Sequence, residues 1–318
     1  MNDLSKSVVG NTHAWRLSST DADEIAHRVR CWWPGHKSNR FPGPQPVSIE
    51  RVHIQTLLSG DYRVCEKTDG ERYLCACLKH NGLYVASLIN RKQDVIIIPL
   101  TCETSVFNGT LLDGELVYDN QAQQYNFMVY DCIMAFGEDS SSESLDSRLM
   151  KATSVLSQFK TSKSLGIVFR VKELYPFSRM QQYVDTVVPN LTHGHDGYIF
   201  TPNNAPVGTG THYSMFKWKK GLNNTVDFSL GKDRSPHTAY VMKNGRSYLL
   251  HNVMIRVPSQ FTHAVSAGSI VECEYVSERR WSVIRLRDDK TNPNSHLTYS
   301  KTLLNIKEDI QLSEFYQG

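Results

Sequence analysis

The sequence lacks the features that would place it in a membrane or an oxidising compartment. No stretch approaches the roughly 18 uninterrupted apolar residues of a membrane-spanning helix, and the opening segment MNDLSKSVVGNTHAW has no apolar core of the kind that directs secretion. The seven cysteines are odd in number and never spaced C-x-x-C, so they indicate neither a disulfide framework nor a zinc site. We therefore expect an intracellular protein with reduced thiols that neither enters nor crosses a membrane.

A strong excess of charge of either sign is also missing. Lysine and arginine number 35 against 32 aspartates and glutamates, which leaves a formal net charge of +3 and a pI near 8.4. This balance does not make nucleic-acid binding the default, although it allows a local basic groove. A chain of 318 residues that is 40% hydrophobic can bury a core in one large domain and in a smaller one.

The pattern along the chain predicts mixed helices and strands. A helix is expected over 21–33 with Asp21 as its N-cap, and two more are expected over 147–160 and 178–188. Short apolar runs that alternate with turn signals predict a mixed or antiparallel sheet over 62–131. From about residue 226 onward, short strands at regular spacing predict a small barrel, so we expect a domain boundary there.

The stretch CEKTDGERYL, residues 65–74, contains the pattern K-x-D-G-x-R. The pattern fixes four positions, and its chance occurrence in a chain of this length is on the order of 0.002. One interpretation is a hairpin turn at Asp69 and Gly70, with Lys67 and Arg72 as solvated flanks. The other is a lysine nucleophile, whose amine must lose its proton before it attacks and therefore needs cations or a metal nearby. The residues of this stretch alone leave both interpretations open.

Charged and aromatic residues that could serve such a nucleophile recur in short motifs further along the chain. Taken singly, each is also explained as a turn, a core aromatic or a solvated strand face. The order in which they follow one another along the chain favours the interpretation that they form one functional site. In chain order they are Arg91 in LINRKQD, Glu115 in LLDGELVYD, Tyr130 and Asp131 in FMVYDC, Asp196 in HDGYIF, and Lys217 and Lys219 in FKWKKG.

These ordered motifs resemble those of the covalent nucleotidyltransferase superfamily, which contains mRNA capping enzymes and ATP-dependent polynucleotide ligases. The segment WSVIRLRDDKTNPN, residues 281–294, is similar to the C-terminal R-x-D-K-x-x-x-N motif of capping enzymes, which ligases lack in that form. With FPGPQPVSIER (41–51), SIVECEY (269–275) and LTYSKTLLNIKEDI (297–310), the resemblance covers nearly the whole chain. It is closest to the compact guanylyltransferases of the Chlorella-virus type.

The resemblance implies an α+β fold with two domains. A nucleotidyltransferase domain, ATP-grasp-like with mixed and antiparallel sheets, is expected over 1–226, and an OB-fold barrel over 227–304. The tail, 305–318, is expected to return to the first domain. The implied activity is mRNA guanylylation, in which a lysine takes GMP from GTP, releases pyrophosphate, and passes GMP to 5′-diphosphate RNA to give the GpppN cap.

The resemblance also assigns roles to individual residues. It implies that Lys67 is the nucleophile, that Tyr130 and Ile199 sandwich the guanine, and that Glu115 and Asp196 hold Mg²⁺ or Mn²⁺. One departure is Asn90, where the family usually has aspartate. The implied catalytic set is Lys67, Arg72, Lys217, Lys219, Arg287 and Lys290, and the implied GTP-binding set is Glu66, Lys67, Arg72, Arg91, Glu115, Tyr130, Ile199, Lys217, Lys219 and Asp289. His193 and His195, in LTHGHDG, are expected to be loop residues.

The expected partners follow from the same resemblance. They are GTP and the 5′-diphosphate end of nascent RNA, with a separate RNA triphosphatase and a cap methyltransferase acting in trans, because no H-C-x-x-G-x-x-R loop is present. We expect a monomer of viral origin, working in a host nucleus or at a cytoplasmic replication site. Two alternatives remain: an ATP-dependent polynucleotide ligase, and a non-catalytic subunit that binds RNA 5′ ends.

Overall fold

The computed structural model describes residues 5–17, 19–36, 39–160, 165–219, 224–231 and 237–316. The chain forms two compact units. The first comprises Met1–Val47, Thr56–Lys217 and Gln317–Gly318, and the second comprises Ser48–Gln55 and Trp218–Tyr316. The division therefore falls somewhat before the expected boundary at residue 226. The limits proposed for the domains and the return of the tail stay predictions, although residues 305–316 cluster within the second unit.

Five α-helices lie in the described part of the chain: α1 (Ser19–Cys31), α2 (Arg51–Ser59), α3 (Leu145–Leu156), α4 (Met180–Thr186) and α5 (His296–Glu308). The strands up to residue 219 are β1 (Ser5–Val9), β2 (Thr12–Arg16), β3 (Gln45–Ser48), β4 (Tyr62–Thr68), β5 (Glu71–His80), β6 (Leu83–Asn90), β7 (Val95–Ile97), β8 (Thr101–Cys102), β9 (Thr110–Asp119), β10 (Gln124–Ala135), β11 (Glu138–Asp139), β12 (Phe159–Lys160), β13 (Ile167–Val171), β14 (Tyr175–Pro176), β15 (His195–Pro202) and β16 (Thr211–Lys219). The later strands are β17 (Thr225–Leu230), β18 (His237–Lys243), β19 (Arg246–Arg256), β20 (Ile270–Ser277) and β21 (Arg280–Leu286).

Two sheets dominate the first unit. The larger has the order β1-β2-β7-β6-β5-β9-β10-β11, with β13 joined to β10 as a parallel neighbour. The smaller has the order β14-β4-β15-β16-β3. Strand β5 is buried on both faces: Cys75 and Cys77 pack in the cluster with Ala152 of α3, while Leu74 and Leu78 pack in the cluster that contains α1. Burial on both faces explains why this strand is continuously apolar instead of alternating.

The second unit contains a closed five-stranded barrel, as an OB-fold requires. Its strands follow the order β17-β18-β19-β21-β20, and only β19 and β21 pair in parallel. Trp281 fills the centre, with its ring 5.3 Å from that of Phe228 and 5.4 Å from that of Tyr275. Helix α5 covers this core through Tyr299, whose ring lies 5.9 Å from Phe228. The expected α+β fold with a C-terminal barrel is confirmed.

Several expected helix limits were wrong. Helix α1 begins at Ser19, and Asp21 is therefore in its first turn, where Oδ1 lies 2.8 Å from Nε2 of His80. Helix α3 begins after its N-cap Ser144 and ends at Leu156, because the chain then enters strand β12. Helix α2 was not predicted at all. Within the described residues, no helix is both long and apolar enough to span a membrane.

Candidate active site

Lys67 lies near the end of β4, opposite the start of β15. Its Nζ is 2.8 Å from Oδ1 of Asp196, and each of the two side chains is about a quarter exposed. Asp196 can approach because the pairing of β4 and β15 shifts register between His195 and Tyr198. This contact with Asp196 holds the amine of Lys67 in place.

The turn after Lys67 connects the two sheets, because β4 belongs to the smaller sheet and β5 to the larger one. A side chain at Gly70 would meet the carbonyl oxygen of Leu116 and a methyl group of Val117 at 2.5 Å, so glycine is required by close backbone approach. The amide of Asp69 donates to the carbonyl oxygen of Gly194 at 2.9 Å, which fixes the turn against the loop before β15. The interpretation of this stretch as a hairpin with solvated flanks was therefore wrong, since β4 and β5 lie in different sheets and the side chain of Arg72 is only 9% exposed.

One pocket of the first unit brings many of the predicted residues together. Those that line it are Glu66, Lys67, Arg72, Arg91, Glu115, Tyr130 and Ile199. Lys217 follows Met215, a lining residue, on the same face of β16. Lys219, Arg287, Asp289 and Lys290 belong to the second unit. The geometry thus gathers Lys67 with cations, two carboxylates and two base-sized apolar surfaces.

Arg72 is held rigidly by partners that the sequence did not reveal. Its Nε and Nη2 donate to the two carboxylate oxygens of Asp113 at 2.9 and 2.5 Å, and its Nη1 donates to the carbonyl oxygen of Pro44 at 2.7 Å. The guanidinium carbon also lies 5.2 Å from the ring centre of Phe41 and 5.7 Å from that of Tyr130. A bidentate, stacked guanidinium is a preorganised cation.

Tyr130 presents a neutral aromatic surface. Burial raises the pKa of its hydroxyl well above the usual range, and the hydroxyl donates to Oδ1 of Asp113 at 2.9 Å. Its neighbour Asp131 also lines the pocket, but its carboxylate accepts two hydrogen bonds from the guanidinium of Arg148 at 2.6 and 3.0 Å and so anchors α3. Of these two residues, only Tyr130 therefore uses its polar group in the hydrogen-bond network around Arg72.

Glu115 offers a second carboxylate close to Lys67. Burial raises its pKa, while the charges of Lys172 and Lys67 act in the opposite direction. Carboxylate oxygens suit hard divalent cations, which take their remaining ligands from phosphate and water. Glu115 and Asp196 therefore fit Mg²⁺ or Mn²⁺ by their chemistry. The compact His/Asp/Glu group found among the described residues, Asp21 with Glu24 and His80, lies away from this pocket.

Glu66 is the centre of a buried network that sequence reasoning missed. Its carboxylate lies 3.0 Å from Nζ of Lys172 and 3.1 Å from Nε2 of His193, and it accepts a hydrogen bond from the hydroxyl of Tyr183. Burial raises the pKa of Glu66, but the hydrogen bonds from His193 and Tyr183 and the charge of Lys172 lower it to about 2. His193 is in a loop, as expected, yet its side chain is only 6% exposed. The same expectation was wrong for His195, which is the first residue of strand β15.

The turn that carries Arg91 is shaped by Asn90. The side-chain oxygen of Asn90 accepts from the amides of Lys92 and Asp94 at 2.9 and 3.0 Å. Its side-chain nitrogen donates to Oδ2 of Asp94 at 2.9 Å. An aspartate could not make this last hydrogen bond. Asn90, which stands where the family usually has aspartate, therefore complements the carboxylate of Asp94.

The R-x-D-K-x-x-x-N motif of the second unit folds around one carboxylate. Asp227 of β17 accepts from Nη1 of Arg287 at 2.9 Å, from Nζ of Lys290 and from the side chain of Asn294 at 3.3 Å. Asp289 pairs with Arg287 through two contacts of 2.8 Å. The motif spacing brings its cations and its asparagine to a single partner, and nothing in the sequence marked Asp227.

Comparisons with known proteins agree with this geometry. The family model described as "mRNA capping enzyme, catalytic domain" matches residues 13–221, and that described as "mRNA capping enzyme, C-terminal domain" matches residues 223–316. The chain is 30% identical to an mRNA-capping enzyme subunit alpha of Schizosaccharomyces pombe, covering 86% of this chain and 78% of that protein. It is 29% identical to the Neurospora crassa subunit alpha, covering 88% and 84%.

Two further similarities complete the comparison. An mRNA-capping enzyme of Danio rerio is 28% identical, over 81% of this chain and 46% of that protein. Among solved structures, a mycobacterial DNA ligase D complexed with ATP and MES is similar with a TM-score of 0.45 and 14% identity, covering 78% of this chain and 95% of that one.

Proposed function

Since the chain belongs to the mRNA capping enzyme family and is an mRNA guanylyltransferase, we propose that Lys67 is the nucleophile that carries GMP between the two half-reactions. The observation that supports this most directly is the position of Lys67. Its amine lies in a pocket that also holds Arg72, Arg91 and Glu115, and Asp196 contacts it at 2.8 Å. Phosphoryl transfer needs this combination of an aligned nucleophile and surrounding positive charge.

Each of the two half-reactions forms one bond to the α-phosphorus and breaks another. In the first, deprotonated Nζ of Lys67 attacks the α-phosphorus of GTP, a P–N bond forms, and the bond to the β-phosphate oxygen breaks to release pyrophosphate. In the second, a terminal oxygen of a 5′-diphosphate RNA attacks the same phosphorus, the P–N bond breaks, and the lysine amine is restored. The product is the GpppN linkage.

Charges of the first unit support the phosphates. Arg72 is fixed by Asp113, so its remaining N–H groups can face a phosphate without reorganisation. Lys217 lies on the pocket face of β16, and we propose that it neutralises the transferring phosphate. Glu115 and Asp196 would hold Mg²⁺ or Mn²⁺, which supplies Lewis-acid stabilisation of the phosphate oxygens when bound. We assign Tyr130 and Ile199 to the two faces of the guanine.

The second unit carries the remaining proposed residues. We propose that Arg287 and Lys290, with Asp289 beside them, engage the β- and γ-phosphates of GTP, and that Lys219 assists at the phosphates. The cations are at present paired with Asp227, so this role requires the phosphates to replace Asp227 as their partner.

Incubation with labelled GTP and either Mg²⁺ or Mn²⁺ tests the nucleophile. We expect a covalent GMP adduct that resists alkali and is released by acid, as expected for a P–N bond, and we expect Lys67→Ala to form none. Lys79→Ala, at an exposed position on β5, the next strand along the chain, is the matched control and should label normally. Labelling of Lys67→Ala at the wild-type rate would refute the assignment.

The same assay separates the alternatives. A ligase would be labelled by ATP, and a non-catalytic subunit that binds RNA 5′ ends would be labelled by neither nucleotide. The family match and the C-terminal capping domain make the ligase alternative the weaker one.

The acceptor is proposed from the chemistry of the linkage. A diphosphate end gives GpppN directly, whereas a triphosphate end would place one phosphate too many in the bridge. A separate triphosphatase and a cap methyltransferase are therefore proposed as partners, and the name "subunit alpha" of the fungal relatives fits an enzyme that works with another subunit. A viral source and a monomeric state remain predictions.

A further inference from the structure

A second groove adjoins the nucleotide pocket at Arg91, which lines both. Arg40 also lines this groove, and its remaining polar lining includes Gln45, Thr209 and Thr211. We call it the Arg40 groove. None of the twelve described residues that line it is an aspartate or a glutamate. A path with cations, amides and hydroxyls but no carboxylate is suited to a polyanion.

A different groove meets the pocket at the same arginine and has a mixed lining. Four carboxylates line it, Asp69, Glu71, Asp94 and Glu115, together with five basic side chains. Its exposed cation next to Arg91 is Lys92. A strand of phosphates entering here would pass these carboxylates, and like charges repel. The lack of carboxylates among its described lining residues therefore favours the Arg40 groove as the path for a nucleic acid.

An exposed aromatic ring lies between the Arg40 groove and the nucleotide pocket. On β16, Thr211 lines the groove and Met215 lines the pocket. Tyr213 stands between them on the same face of the strand, because side chains alternate along it. Tyr213 is 78% exposed, so its ring is available for stacking. Proteins that hold single strands combine such rings with a cationic groove.

We infer that the Arg40 groove and Tyr213 bind the first nucleotides of the acceptor RNA, an inference that rests on the proposed function. The acceptor oxygen must approach the phosphorus opposite Lys67, so the rest of the RNA has to leave the pocket along a groove. Arg91 meets the 5′-terminal phosphates, Tyr213 stacks on an early base, and Arg40 contacts a later phosphate.

The transfer half-reaction tests this assignment. Each enzyme is converted to its GMP adduct, freed from GTP, and offered either a nucleoside diphosphate or a short 5′-diphosphate RNA. We expect Tyr213→Ala to raise KM for the RNA on the order of tenfold. KM for the nucleoside diphosphate should change much less, and Tyr213→Phe should retain wild-type behaviour because it keeps the ring. Arg40→Gln should also lower the slope of log KM against log salt by about 0.7.

Lys92→Gln is the matched control, since it removes a neighbouring exposed cation from the carboxylate-lined groove. It should leave KM for RNA near wild type. Wild-type KM for RNA in both Tyr213→Ala and Arg40→Gln, or loss of RNA affinity in Lys92→Gln alone, would overturn the inference. Adduct formation is measured first in every variant, so a failure of the proposed function, in which wild type forms no adduct, is distinguishable from a failure of the RNA assignment.

Discussion

Glu66, next to Lys67 in the chain, forms an ion pair with Lys172 that is almost completely removed from water, with each side chain only 3% exposed. Removal of Lys172 alone would leave a buried carboxylate with too few partners. We therefore expect Lys172→Met to lower the free energy of unfolding by about 3–5 kcal/mol, as measured by urea denaturation. Arg170→Met, at an exposed position of the same region, is the control and should stay within about 0.5 kcal/mol of wild type.

The pH dependence of this effect has a definite sign. The folded protein holds the pKa of Glu66 at about 2, below its ordinary value of 4.5. The stability contributed by this carboxylate is therefore fully present above pH 4.5 and is lost as the pH falls through 4.5 towards 2. The difference in the free energy of unfolding between wild type and Lys172→Met should shrink as the pH falls over that range. If this difference did not change with pH, the ion pair would not contribute to stability as expected.

At the level of single residues, the sequence predicted the candidate site residues that belong to recognisable motifs. It did not predict the side chains that hold those residues in position. The motifs of Lys67, Glu115 and Tyr130 are short, and their residues converge in one pocket. Asp113 and Lys172 stand in ordinary strand contexts, and their importance depends on partners 41 and 106 residues away. Such pairings are created by the order of strands in the sheets, which local patterns do not contain.

Among the elements, the β6–β7 turn supports the clearest prediction. Asn90→Asp would place a carboxylate against Oδ2 of Asp94, where the asparagine nitrogen now donates at 2.9 Å. We expect a loss of about 1 kcal/mol in stability and slower adduct formation, because the turn presents Arg91 to the pocket. The double variant Asn90→Asp/Asp94→Asn exchanges the two groups and should recover most of the loss. If the single and double variants lost stability and rate of adduct formation to the same extent, the hydrogen bond between positions 90 and 94 would not be what shapes the turn.

Element boundaries were harder to predict than element types. The strand-rich region over 62–131 and the later barrel are confirmed, because alternation and turn residues are strong local signals. Helix α2 escaped prediction because its sequence, RVHIQTLLS, has neither an acidic first turn nor a basic last turn. Helix α3 ended early because Phe159 and Lys160 pair with β8, a tertiary contact that overrides helical spacing.

On the scale of the whole molecule, the two compact units carry different parts of the proposed reaction. The first holds Lys67 and its pocket, and the second holds Arg287 and Lys290, which are paired with Asp227. If these cations act on the pyrophosphate that leaves GTP, they matter for the first half-reaction only, because RNA transfer releases no pyrophosphate. The two steps should therefore respond differently to their removal.

We accordingly expect Arg287→Ala and Lys290→Ala to slow adduct formation from GTP roughly 100-fold, the scale of losing one preorganised charge donor. Transfer from adduct that has been accumulated by long incubation and freed from GTP should fall much less. Single-turnover kinetics of each step measure the two effects separately. Arg285→Ala, which removes an exposed arginine paired with Glu272, is the control and should leave both steps near wild type. If both half-reactions slowed equally in the Arg287 and Lys290 variants, the motif would instead be supporting the fold of the barrel around Asp227, and its proposed role at the β- and γ-phosphates would fail.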